Sequence, residues 1–394
     1  MSISYMLKDS CLCYGCTACQ TVCPVDAIKM IPDDDGFLYP ILDDSLCIRC
    51  GKCQRACPAL AKKGKNSSLK VCGLIHRDEE IWKKSTSGGA FTAICQVFGD
   101  NDTVVFGVVY NSDEKRVEHT YVIGCEDVSA FCGSKYVQSY LGDSFKKAKD
   151  FLLAGKKVIF TGTPCQISGL KKTLYGIDTE RLLCIAVMCN GVASPSVFKQ
   201  YILSHERKLG KIIDCKFRDK RIAMGVHNLY RRTFIYKNQK RKSSQHDPYN
   251  NCYTRKILCR RSCFYCGYNF EMIDSDLTIG DFKKIYQVVP NAAINKNGSV
   301  VVSHTSKGLF VLDGLSNVAK VYDISLDDVD YPNSANGYIG KRDAFFEDFK
   351  KEPENIVYLL NKYSLKKTPV QKIMGCLPNK LRAFIKIKLR KYNG

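Results

Sequence analysis

The chain has 394 residues, 45% of them hydrophobic, and carries 60 Lys and Arg against 39 Asp and Glu, a formal net charge of +21. That length is too great for a single small cysteine-rich domain, so a larger second domain is expected, and no apolar run is long enough to span a bilayer. The 22 cysteines, with no secretory n-region and h-region ahead of them, argue against a disulfide-bonded secreted fold and for a reducing, cytoplasmic setting in an anaerobe.

The run Cys13-x2-Cys16-x2-Cys19-x3-Cys23-Pro24 comes first and is repeated as Cys47-x2-Cys50-x2-Cys53-x3-Cys57-Pro58. Cysteines at every third position wrap a tight loop whose thiolates converge on one face of a cubane, and the fourth cysteine of each run closes the other cage. The spacing therefore assigns Cys13, Cys16, Cys19 and Cys57 to one [4Fe-4S] cluster, and Cys47, Cys50, Cys53 and Cys23 to a second. A four-coordinate zinc site leaves the third cysteine and the Cys-Pro of each run unexplained. Residues 1–60 thus read as a bacterial-ferredoxin-like domain for passing single electrons.

Charge is unevenly placed. Residues 1–60 hold 5 Lys and Arg against 7 Asp and Glu, leaving 55 against 32 beyond. A basic body of this kind draws in ferredoxin or another acidic redox protein, or a phosphorylated coenzyme. No nucleic-acid module is recognisable, and no nucleic-acid partner is expected.

Residues 61–70 (AKKGKNSSLK) are polar and read as a linker. Beyond it, over 71–330, strands alternate with helices, so the fold class is α+β/α/β: the ferredoxin-like domain, then a mixed α/β domain. Val71–His76, Thr103–Tyr110 and Val117–Ile123 read as strands, and Gly89–Phe98 and Asp143–Ala154 as helices. The turn Ser85-Thr86-Ser87-Gly88-Gly89 precedes the first of these helices, where it can serve as an ordinary N-cap or leave N–H groups free for a phosphate.

Lys157–Thr161 reads as a strand, Pro164–Tyr175 as a helix with Pro at its start, and Leu182–Met188 as a second strand. The crossover makes the two strands parallel, which brings Cys165 and Cys189 to the same edge of the sheet. With Cys263 and Cys266 they form a candidate third [4Fe-4S] site. Structural zinc suits the same four thiolates, and Cys259 can replace one of them. Cys72, Cys95, Cys125, Cys132, Cys184, Cys215 and Cys376 read as small buried side chains.

Seven motifs then occur in order: Ser85–Gly89, Gly133–Ser139, Gly162–Gln166, Cys189–Pro195, Phe217–Lys220, Cys263-x2-Cys266 and Asp276–Phe282. Together, over about residues 1–315, the chain resembles the coenzyme F420 hydrogenase/dehydrogenase beta-subunit family, here with an N-terminal two-cluster ferredoxin unit. The resemblance implies FAD in the α/β domain beside a [4Fe-4S] cluster. It also implies electron relay to or from coenzyme F420 or another two-electron acceptor. Carried onto this sequence, it places Ser85, Ser87, Gly88, Gly89, Ser134, Lys135, Tyr136, Gln138 and Asp281 at the flavin, with Lys135 a fixed cation near the ring. Two departures bear on the substrate: Asn190 stands where the family often has histidine, and Lys283-Lys284 where many members have TrpGly. Other readings of the whole are a non-catalytic electron-transfer subunit and a zinc-stabilised binding protein.

Residues 331–394 read as a helical, basic C-terminal extension. In the tail, Leu381, Phe384, Ile385 and Leu389 share one side of a helix among Lys and Arg. Such a helix lies on an anionic membrane surface or packs on its own domain.

Overall fold

The computed structural model describes residues 11–61, 70–220, 232–244, 247–282, 285, 297–332 and 339–365. Most of the linker, Lys283-Lys284, Cys376 and the basic tail helix lie outside the described residues.

The amino-terminal unit is a two-stranded antiparallel hairpin, β1 (Ile28–Pro32) and β2 (Leu38–Leu42), flanked by the two cysteine loops and the short helices Ala18–Thr21 and Lys52–Arg55. Both loops follow one backbone path. The second residue after the first cysteine and the first after the second are left-handed in each: Gly15 and Thr17 (φ 67° and 61°), then Arg49 and Gly51 (φ 53° and 70°). Each loop places glycine at one of these positions and accepts the steric cost of a side chain at the other.

An eight-stranded mixed sheet forms the larger body, in the order β13-β3-β12-β11-β7-β6-β4-β5. The strands are β3 (Lys70–His76), β4 (Val104–Asn111), β5 (Arg116–Ile123), β6 (Val158–Gly162), β7 (Leu182–Val187), β11 (Leu277–Phe282), β12 (Gly298–Ser303) and β13 (Ala319–Asp323). The central β4, β6, β7 and β11 are parallel, whereas β5 on one side and β12, β3 and β13 on the other pair antiparallel.

The central strands are apolar throughout because both faces are covered. Along β6 and β7, Val158, Phe160, Leu182, Cys184 and Ala186 enter one core and Ile159, Leu183 and Ile185 the other, the two-residue alternation of a pleated strand. The helix Pro164–Thr173 makes the crossover between them. It opens with Pro164 at its first position and with the Thr163 N–H donating to Gln166 Oε1 at 3.0 Å.

A third sheet, β8 (Ile212–Lys216), β9 (Arg232–Tyr236) and β10 (Arg241–Ser244), is antiparallel. Its core takes in the helices Pro195–Leu209, Ile339–Lys351 and Ile356–Tyr363 together with Phe37 and Tyr39 of the hairpin. The ferredoxin-like unit is therefore built into the molecule. The Ser194 hydroxyl donates to Asp35 O at 2.6 Å. Buried Arg342 donates to Asp35 Oδ2 at 2.7 Å and to Cys259 O at 2.6 Å.

All described cysteines are free thiols, and Cys72, Cys95, Cys125, Cys132, Cys184 and Cys215 are buried, as expected of small core side chains. Among the described residues no helix is long and apolar enough to cross a membrane.

Three histidines are held neutral. Burial pulls His119, His205 and His304 down to about 4; His119 stacks on Phe160 at 5.4 Å and bonds through Nε2 to Thr161 O. A histidine lowered in the folded state stabilises fully above its unfolded pKa of about 6.5 and loses that contribution as pH falls toward 4. For His119 alone the loss is expected to reach about 3 kcal/mol. Denaturation midpoints at pH 7 and pH 4 check it, with His119→Gln reducing the difference.

Candidate redox site

Cys13, Cys16, Cys19 and Cys57 line one small cavity with Met30 and Pro40. Cys57 of the second run thus lies beside the first loop. Burial, with Cys13 and Cys57 close by, pushes the Cys19 thiol well up, and burial does the same to Cys16 beside Cys19 and Cys165. Thiols crowded in an apolar setting resist ionisation until a cation is supplied, which is what an iron cluster does. The Gly15 N–H points to Cys13 Sγ at 3.4 Å and the Ala27 N–H to Cys23 Sγ at 3.3 Å, contacts of the kind that tune cluster potentials. In the second loop Cys53 has Cys50 and Cys23 as neighbours, Cys47 is partly buried, and Cys50 is exposed.

The third group is assembled by the crossover. Cys165 opens the helix after β6 and Cys189 follows β7, whose ends are in register at Gly162 and Ala186. Cys263 lies in the short turn Arg261–Phe264, with Cys266 just beyond. Burial pushes Cys165 up to about 12, opposed by a 3.2 Å contact to the Thr163 hydroxyl and reinforced by Cys266 and Cys263. Cys189 is raised by burial and then by Cys263, Cys165 and Cys266. Cys259 stands behind this group in the apolar core, where its Sγ would lie 3.1 Å from a Cβ at left-handed Gly191. Among the described residues no group of three or more Cys, His, Asp or Glu side chains is set to hold a metal ion, in the ferredoxin-type loops or in this third group.

The first and third cysteine groups are neighbours. Gly169, one turn along the helix from Cys165, lies where a Cβ would meet Cys16 Sγ at 3.1 Å. Tyr14 sits between them: burial raises its hydroxyl, followed by Cys266, Cys165, Cys263 and Cys57. Fully buried Arg260 joins the two loops, its Nε donating to Cys13 O at 2.7 Å and its Nη2 to Leu38 O at 3.0 Å, while its own carbonyl accepts from Cys263 N at 3.0 Å.

Beside Cys189 a cavity of about 440 Å³ opens where β4, β6, β7 and β11 end, the edge at which α/β sheets bind ligands. Ser85, Ser87, Gly89, Ser134, Lys135, Tyr136 and Asp281 line it with Cys189. The Ser134 N–H donates to Thr86 Oγ1 at 2.7 Å, joining two of its walls. The Lys135 ammonium is held by the carbonyls of Ala130, Phe131 and Cys132 at 3.0–3.4 Å, and desolvation lowers it to about 8.

Asp281 accepts from the Ser87 hydroxyl and from Arg218 Nη1, the latter at 2.5 Å. Tyr136 stacks on Tyr253 at 4.7 Å. Gln138 is placed elsewhere, its amide donating to Tyr14 O at 3.1 Å, so it contacts the first cysteine loop.

Gly88 lies behind the cavity wall. A Cβ there would come within 2.0 Å of Leu74 O and 2.4 Å of Ser299 N. Because both are backbone atoms, Gly88→Ala is expected to part the turn from β3 and β12 and cost more than about 3 kcal/mol. A fall in soluble yield and melting temperature checks this, and Ser87→Ala is the milder control.

Sequence reasoning quoted the motif holding Arg218 without giving it a role and passed over Arg260 altogether. Their partners lie 63 and 247 residues away, at Asp281 and Cys13, beyond any local signal.

Residues 155–328 match the family described as the carboxy-terminal part of the coenzyme F420 hydrogenase/dehydrogenase beta subunit, and residues 12–61 and 39–93 match 4Fe-4S dicluster domains. Residues 155–328 are thus similar to the carboxy-terminal part of that beta subunit, and residues 12–93 to ferredoxin-type iron–sulfur domains. A solved structure, "Xenon derivatization of the F420-reducing [NiFe] hydrogenase complex from Methanosarcina barkeri", aligns with 76% of this chain and 91% of its own, at 16% identity and a TM-score of 0.44. No curated protein matches. The third cysteine group, Arg218 and Asp281 fall inside the beta-subunit domain match, whereas the Ser85–Gly89 turn and Lys135 precede it.

Proposed function

We propose that the chain is an iron–sulfur flavoprotein oxidoreductase that relays electrons through its clusters to or from FAD in the 440 Å³ cavity. A third [4Fe-4S] cluster on Cys165, Cys189, Cys263 and Cys266 would be the middle step, and coenzyme F420 or another small two-electron acceptor the outer substrate. The observation that carries this reading is the serial placement of the first cysteine cage, the third cysteine group and the cavity, with Cys189 belonging to both of the last two.

The residues present suit a flavin. An aromatic pair, Tyr136 and Tyr253, offers a stacking face, Lys135 supplies positive charge, Arg218 behind the wall offsets the Asp281 carboxylate, and left-handed Gly89 and Gly133 let backbone approach closely. A flavin bound there would exchange two electrons with a substrate and one at a time with iron–sulfur centres. The chain's part is to hold it against Cys189 and shield it from water.

The test is anaerobic purification of the full chain with iron, sulfide, zinc and flavin quantified together. About twelve irons and one flavin per chain support the reading, since each cluster holds four. About eight irons with one zinc, and no flavin retained or taken up, overturn it. Cys189→Ser is expected to remove about four irons and leave the ferredoxin-type signals in place.

A further inference from the structure

The two cysteine runs are near-copies in backbone path, yet their surroundings are opposite. Residues 11–25, around the first loop, carry no charged side chain; Cys13 and Cys16 are buried in cores shared with the larger body, and Cys19 is buried beside the hairpin. Residues 46–60, around the second loop, carry Arg49, Lys52 and Arg55 and no acid. All three cations are exposed.

Among the described cysteines only Cys50 is exposed. Beside it Leu46 and Ile48 are 49% and 62% open to solvent, and Val25, after Cys23-Pro24, is exposed as well. Of the acids bordering this face, Asp43 is turned back onto the N–H and hydroxyl of Ser45, while Asp44 and Asp26 are exposed at its margin and leave the three cations in excess. The face thus combines an apolar centre with a cationic rim over the outermost cluster ligand, the composition of a transient protein interface.

We propose that this second loop is the docking face for an acidic one-electron carrier protein, and that Arg49, Lys52 and Arg55 steer it so that its centre meets the Cys50 edge. Electron transfer falls steeply with distance, and no other described cysteine offers so short an approach. The cation Arg55 also fixes the loop through Nη2 to Cys50 O at 3.3 Å, so Arg49 and Lys52 are the cleaner handles. The inference rests on the ferredoxin-type domain being loaded with clusters and is independent of the flavin.

The experiment uses the full chain, reconstituted anaerobically, with reduction by a pre-reduced acidic plant-type [2Fe-2S] ferredoxin followed by stopped flow across a salt series. Arg49→Asn with Lys52→Glu is the test variant, since asparagine tolerates the left-handed backbone at position 49 (φ 53°). Lys320→Glu, on the edge strand β13, is the remote control.

The expected result is a second-order rate at low salt lowered about tenfold or more, with its salt dependence flattened, in the double variant only. Iron content and the paramagnetic signals after dithionite should match the parent protein. An unchanged rate with both clusters present overturns the docking assignment, as does an equal loss in Lys320→Glu, which marks a bulk-charge effect. A stable dimer that covers Cys50 overturns it in favour of a second copy on this face. Absence of cluster signals in the parent protein overturns the iron–sulfur reading itself, a distinct outcome.

Discussion

Arg260→Ala is expected to lower stability by about 3–5 kcal/mol and to weaken or abolish the signal of the first cluster while sparing the second. The side chain is fully buried, and its loss strips donors from Cys13 O, Leu38 O and Gln138 Oε1 at once. The guanidinium also lies 4.0 Å over the Tyr39 ring, a contact that alanine cannot make. Arg260→Lys keeps the charge but cannot span the same acceptors, so an intermediate loss is expected. Anaerobic denaturant titration with paramagnetic resonance on the same samples checks both. Equal loss of both cluster signals would mean general unfolding and not failure of this loop.

Arg218→Ala is expected to weaken flavin binding more than tenfold, at least about 1.4 kcal/mol, without changing iron content. The change leaves the Asp281 carboxylate on the cavity wall with the Ser87 hydroxyl as its remaining partner in the present triangle. That negative charge faces the space a diphosphate-bearing ligand would enter. Asp281 is partly exposed, so the folding cost is small beside the binding cost. Anaerobic equilibrium dialysis with FAD checks it, and Arg218→Lys should recover part of the affinity. Unchanged affinity would remove Arg218 from the site.

What could be read from the chain follows the range over which each signal acts. Ligand spacing is local, so the cysteine runs announced a ferredoxin-type iron–sulfur unit, and Cys57 lies beside the first run. The crossover rule placed Cys165 next to Cys189 from strand and helix patterns within 30 residues. Short apolar runs marked β6 and β7 as strands, and the crossover made them parallel.

β3 was legible as a strand, but its antiparallel pairing with β12 and β13 was not, because those strands lie more than 200 residues later. Nor were the three-stranded sheet and the helices at 339–363 legible as members of the core holding Phe37. Gln138 shows the limit from the other side. It sits in a motif read as flavin-contacting, yet the fold turns its amide onto Tyr14 O. Local pattern named the segment, and long-range packing decided which way the side chain faced.

The helix Pro164–Thr173 bears Cys165 at its start and presses Gly169 on Cys16 four residues later. The first cysteine group and the proposed third one are thereby gauged from one rigid ruler. An extra residue between those positions would rotate one relative to the other by about 100°, so this segment should tolerate substitution far better than any change in length.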